Sequence, residues 1–159
     1  MQKIVTFLWF DDKAEEAAHF YVSVFQKNSK LGHISRYGDA GPGPKGRAMT
    51  VNFELDGQQF IALNGGPQFA FTPAISLMVN CETQEEVDYR WSKLTADDGK
   101  PNHCGWLQDK YGLSWQIIPT ALGKLMSDPD PERSRRVMQA MLAMDKIEIV
   151  KLQEAYEHA

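Results

Sequence analysis

Few residues in this chain have the type and setting to do chemistry. Cys104 follows His103, and a thiol beside an imidazole is a candidate nucleophile. If both lie on a strand their side chains point to opposite faces, so His103 cannot reach the thiol and Cys104 reads as a buried, inert cysteine. Gln116, in Ser114-Trp115-Gln116-Ile117-Ile118, can orient a ligand through its amide or be a satisfied core amide. Trp106 can stack on a planar ligand or fill a core. Asn64 precedes Gly65-Gly66 and can close a pocket rim or form a turn. His19 lies on the polar edge of a helical stripe, where a structural or surface role is expected. Lys45 and Arg47 flank the end of Gly41-Pro42-Gly43-Pro44-Lys45-Gly46, either a lid over an anion or a plain mobile connection.

Composition narrows the classes. The 159 residues suit one domain or two very small ones. A formal net charge of −4 argues against nucleic acid, which needs a basic face. The densest apolar run, Ile4 to Phe10, is too short to span a bilayer, and the N-terminus lacks the pattern of a signal peptide. Two cysteines make no disulfide framework and suit a reducing cytoplasm.

These residues need elements to position them. Ile4 to Phe10 is short and rich in β-formers, a buried strand. Asp11 and Asp12 offer a helix N-cap and Glu15 and Glu16 a negative first turn. Ala17, Phe20, Tyr21 and Val24 then make an apolar stripe over Ala14 to Phe25. Leu31 to Tyr37 is a modest strand. Ala48–Leu55 and Gln58–Asn64 flank Asp56-Gly57, a hairpin turn that needs positive φ. The order then repeats, with a strand from Ile75 to Cys81 and a helix from Glu82 to Leu94. Two strands, Gly105–Asp109 and Leu113–Ile118, follow around Tyr111-Gly112. At an offset of 70, Tyr21 falls on Trp91 and Val24 on Leu94; at 55, Gly57 falls on Gly112 and Phe60 on Trp115. Module one is about 1–66, module two about 73–120, and helices fill about 121–157, starting anew at Asp128-Pro129-Asp130-Pro131 and bending near Asp145. The expected class is α+β: two βαβββ modules forming a cupped mixed sheet, plus C-terminal helices.

Several segments carry a family resemblance: Ala18-His19-Phe20-Tyr21, Phe7-Leu8-Trp9-Phe10-Asp11, Ala62-Leu63-Asn64-Gly65-Gly66-Pro67, Cys104-Gly105-Trp106-Leu107 and Tyr111-Gly112-Leu113-Ser114-Trp115-Gln116. With them, nearly the whole chain resembles the PhnB-like branch of the vicinal oxygen chelate superfamily, which includes glyoxalases, bleomycin-resistance proteins and extradiol dioxygenases. Some members of that branch carry the label 3-demethylubiquinone-9 3-methyltransferase. The chain lacks a glycine-rich strand–helix turn to cradle a nucleoside cofactor.

The resemblance implies where a metal would sit, since metal-using members draw His, Gln or Glu ligands from four strands. Counting fifteen residues back from Tyr21 gives Thr6, and the offset of 70 gives Ser76. Four residues past each turn glycine lie Ile61 and Gln116. Two hydroxyls, one amide and an isoleucine are a poor divalent-metal site, so no metal and no other cofactor is expected. A pocket remains, lined by Thr6, Leu8, Asn52, Ile61, Leu63, Ser76, Met78, Cys104, Trp106 and Gln116, with Trp106 opposite Gln116, Cys104 opposite Ile118 and Asn52 opposite Ile61.

The leading expectation is a metal-independent small-molecule-binding protein, a homodimer, with neither nucleic-acid nor membrane partners; whether it is an enzyme stays open. The alternatives are a metal-dependent lyase, isomerase or dioxygenase, and a methyltransferase. The apolar faces around Val137, Met141, Ile147 and Val150 exceed what one short tail needs and support the dimer.

Overall fold

A computed structural model of the chain describes residues 2–158. The chain divides into two compact units, the first ending at Phe71 and the second beginning at Thr72.

The first unit runs β1 (Thr6–Phe10), α1 (Ala14–Phe25), β2 (Lys30–Arg36), β3 (Ala48–Leu55) and β4 (Gln58–Asn64). The spatial order is β1-β4-β3-β2, with β1 parallel to β4 and the other pairs antiparallel. Helix α1 has the expected bounds and buries Ala14, Ala17, Ala18, Tyr21, Val24 and Phe25, packing on β3 and β4. The Asp56-Gly57 hairpin is present, with φ of 49° and 82°, the positive pair that a type I′ turn requires.

One local expectation fails. Neither Asp11 nor Asp12 caps α1: Lys13 occupies the cap position and makes no side-chain cap bond. The free amide of Ala14 donates instead to Asn64 Oδ1, at 2.8 Å. Asn64 is buried, its Nδ2 donates to the Ala48 carbonyl, and its own carbonyl accepts from Tyr37 Oη.

The second unit repeats the order with β5 (Ser76–Cys81), α2 (Gln84–Leu94), β6 (Lys100–Pro101), β7 (Trp106–Gln108) and β8 (Ser114–Pro119), arranged β5-β8-β7-β6. Thr83 caps α2, its hydroxyl accepting from Glu86 N. Strands β6 and β7 are shorter than their counterparts. Pro101 brings no N–H to the ladder, and Cys104 and Gly105 both take positive φ, 59° and 84°. Three helices follow, α3 (Thr120–Met126), α4 (Pro131–Leu142) and α5 (Ile149–Glu157), with the chain bending at Asp145 between the last two. Their apolar faces are largely used up internally. Leu122, Val137, Met144, Ile147 and Leu152 form one buried cluster with Met141 packed against it, while Val150 is 61% exposed. The expected surplus over Val137 and Ile147 is therefore this small core, which removes that argument for a dimer.

Candidate functional site

Each sheet has one face packed under its helix; the other is open in the first sheet and, in the second, open around Met78, Trp106 and Gln116 but covered by the C-terminal helices at Ile118, and strand register decides which side chains share it. In the first sheet Phe7 lies beside Ile61 and Trp9 beside Leu63, while Thr6 lies beside Phe60 and Leu8 beside Ala62. Leu8, Phe60 and Ala62 are buried on the helix side. Thr6 and Leu8 thus do not join Ile61, Leu63 and Asn52; Phe7 and Trp9 do. A residue count from Tyr21 errs by one here because the β1–α1 connection sets the register of strand against helix, and a slip of one flips every side chain. Asn52 does face Ile61 across the β3–β4 pair. Trp9 is held on the open face by a hydrogen bond from Nε1 to the Gly66 carbonyl and by an edge-on contact with Phe69.

The second sheet brings its expected residues together. Met78 and Trp106 are both in register with Gln116, and Gln116 Nε2 donates to Ser76 Oγ at 2.9 Å. Ser76, Trp106 and Gln116 are half-buried and Met78 is 56% exposed. This gives a row of apolar surface with one amide–hydroxyl pair at its centre.

Cys104 does not join that row. The β7–β8 ladder begins at Trp106, and Cys104 sits in the preceding turn with its N–H on the Met144 carbonyl. Gly105, in place of Cys104, meets β8, its carbonyl accepting from Ile117 N. Cys104 itself is half-buried, not core, because positive φ at Cys104 and Gly105 lifts the chain off the strand path. His103 pairs with Asp145 across Nδ1–Oδ1 at 2.8 Å on the exposed side. His19 is exposed. Cys81 is wholly buried, and that burial pushes its thiol pKa up.

The Gly41–Gly46 segment is a loop packed on an aromatic ring. A Cβ at Gly43 would fall 2.4 Å from Tyr37 Cε2, and one at Gly41 2.8 Å from Cδ1. Lys45 pairs with Asp39. Arg47 borders a cleft of about 360 Å³ beneath this loop.

Two features escape a reading of the sequence. Asp109 is a buried carboxylate whose Oδ1 accepts from Tyr111 N and Leu113 N while Oδ2 accepts from the Trp115 indole at 2.8 Å. It builds the turn that presents Gln116. The other is His33, brought to the open face of the first sheet by a β-bulge; the only signal is the Gly32-His33 pair inside a strand pattern.

Donor chemistry at the slots does not suit a metal. Ile61 has no donor, Thr6 lies on the other face, and Gln116 is engaged with Ser76. Among the described residues no group of three or more His, Cys, Asp or Glu is placed to hold an ion. Among the described residues no helix is long and apolar enough to cross a membrane.

Comparison with known proteins agrees with this geometry. The family model for 3-demethylubiquinone-9 3-methyltransferase matches residues 2–118. A Bacillus cereus PhnB protein carrying that same description is similar at 45% identity and a TM-score of 0.68, covering 74% of this chain and 99% of its own. A Pseudomonas aeruginosa protein shares the fold at 18% identity and a TM-score of 0.61, over 75% of this chain and 98% of its own. So does a Listeria monocytogenes fosfomycin resistance protein, solved with Mn(II) and sulfate, at 14% identity and 0.51, over 75% of this chain and 91% of its own. No curated protein matches the chain. Two strand–helix–strands units in the same sheet order, together with these matches, establish that the chain belongs to the PhnB-type 3-demethylubiquinone-9 3-methyltransferase family.

Proposed function

We propose that this protein binds a small organic molecule on the open faces of its sheets, without a transition metal. The observation that carries this is the open face of the second sheet, where Trp106 and Met78 flank the Gln116–Ser76 hydrogen bond. Apolar surface with a few fixed polar groups is the usual make-up of such a site. A neutral amide and hydroxyl cannot compensate the desolvation of a divalent ion. A metal-dependent lyase, isomerase or dioxygenase would need imidazole or carboxylate donors that the slots lack.

Methyl transfer, the activity in the family description, has no cofactor cradle in this chain. The two strand-to-helix connections read Asp11-Asp12-Lys13 and Glu82-Thr83, with no glycine to let backbone approach a nucleoside cofactor. A homodimer is part of this proposal, supported by exposed apolar side chains such as Phe69 and Leu142. The free thiols Cys81 and Cys104 fit a reducing cytoplasm.

The test is a thermal-shift and heteronuclear NMR screen of a metabolite library on metal-stripped protein. The expected hits move the amides around Met78, Trp106 and Gln116, and their binding weakens by about tenfold or more in Trp106→Ala. Stoichiometric zinc, nickel or manganese binding lost in Gln116→Ala would overturn the metal-free reading.

A further inference from the structure

The β2–β3 pairing contains one extra residue. Leu31 pairs with Phe53 and Ile34 with Val51, so Gly32 and His33 together oppose Asn52. Without that bulge strict alternation would place His33 on the helix side with Leu31; with it His33 shares the open face with Lys30 and Asn52. The bulge needs a small residue at its inner position, since a Cβ on Gly32 would lie 3.2 Å from the Cβ and carbonyl oxygen of Asn52.

Beneath the bulge is a cavity of about 200 Å³. Pockets for drug-sized ligands are about 300–1,000 Å³, so its occupant is small. Val5 and Ile61 give it an apolar floor. The side chains of His33, Asn52 and Gln59 line it without a hydrogen bond to another described residue. Lys30 and Glu54, directly paired across the strands, stand at its edge with Nζ and Oε2 3.9 Å apart. A direct charge-assisted hydrogen bond is far shorter, about 2.7–2.9 Å, so the two charges are loosely matched and open to other partners.

This combination selects for charge type. A simple anion meets Lys30 but also Glu54, and a simple cation meets Glu54 but also Lys30. A molecule with both an anionic and a cationic group satisfies both, while its apolar part rests on Ile61 and Val5. Building on the proposed small-molecule role of this open face, we propose that the cavity under the Gly32–His33 bulge binds a small zwitterion of the α-amino-acid class.

The experiment follows backbone amide shifts of the full-length ¹⁵N-labelled chain with three probes: L-leucine, 4-methylpentanoate and 3-methylbutylamine. Leucine is expected to move the amides of Gly32, His33, Asn52 and Gln59 and to bind about tenfold more tightly than either singly charged probe. Glu54→Gln should erase the preference over the carboxylate, and Lys30→Met the preference over the amine, both with the rest of the spectrum intact. Equal binding of a singly charged probe overturns the proposal, as does leucine leaving those four amides unmoved. If leucine is inert while library compounds still move the Trp106–Gln116 row, only the zwitterion site is lost; if nothing moves either open face, the small-molecule function goes with it.

Discussion

Asn64 Oδ1 accepts the free amide of Ala14, fifty positions earlier in the chain, at 2.8 Å. The last residue of β4 thereby caps the first helix of the same unit. It also ties β3 through Ala48 and β2's end through Tyr37. A single buried amide thus joins α1 to β3, β4 and the end of β2, in the same unit whose register puts Phe7 and Trp9 on the open face.

Asn64→Ala should therefore cost more than an ordinary cap. Losing the cap is worth about 1 kcal/mol and stranding a buried partner adds about 1–3 kcal/mol, so a loss of about 2–4 kcal/mol is expected in urea unfolding. Asp11→Ala and Asp12→Ala should each stay within about 0.5 kcal/mol, since neither aspartate caps the helix. Aspartate variants as damaging as Asn64→Ala would refute this assignment.

Asp109→Ala removes the acceptor of two backbone amides and the Trp115 indole. With two buried donors and one half-buried donor left without an acceptor, a loss of about 3–5 kcal/mol is expected, read by chemical denaturation. Trp115→Phe removes only one of those bonds and should cost less. If Asp109→Ala is near neutral, the turn is held by other means.

Gly65→Ala should disturb the open face of the first sheet. Its Cβ would fall 2.3 Å from Trp9 Cε2, so the indole must shift and give up its bond to Gly66. A cost of about 1–3 kcal/mol is expected. The fluorescence of the chain should change with it, and an unchanged spectrum at unchanged stability would contradict the packing seen here.

Acid should loosen the C-terminal helices. The Gln84 side-chain hydrogen bond and then Lys146 hold the Asp88 carboxyl below its usual 3.8, and the Tyr156 hydroxyl followed by the Asp130 amide does the same for Asp128. A folded pKa below the unfolded one means the contribution is full above the unfolded value and disappears as pH falls through the lower one. Asp88→Asn and Asp128→Asn should each lower Tm at neutral pH and converge on the parent in acid, once the carboxylates are protonated in the folded protein as well. A Tm difference that persists unchanged in strong acid would show that these carboxylates are not its source.

Much of this protein is written in short stretches of sequence. The stripe from Ala14 to Phe25, the Asp56-Gly57 hairpin and the repeated strand–helix–strands order are visible because helical period, alternation and positive φ are properties of neighbouring residues. The second open face was legible for the same reason: Ser76, Met78, Trp106 and Gln116 follow from alternation and a hairpin folded about its turn. Only the tertiary structure decided that Phe7 and not Thr6 stands beside Ile61, since parallel register between β1 and β4 is set by how a helix docks between them in sequence. It also decided that Asn64 is a helix cap, that Asp109 is a buried hub, that Cys104 belongs to a turn held by the α4–α5 connection, and that a bulge turns His33 toward Asn52. Each of these rests on a register slip of one residue or on a hydrogen bond chosen by three-dimensional packing. Local periodicity carries no record of either.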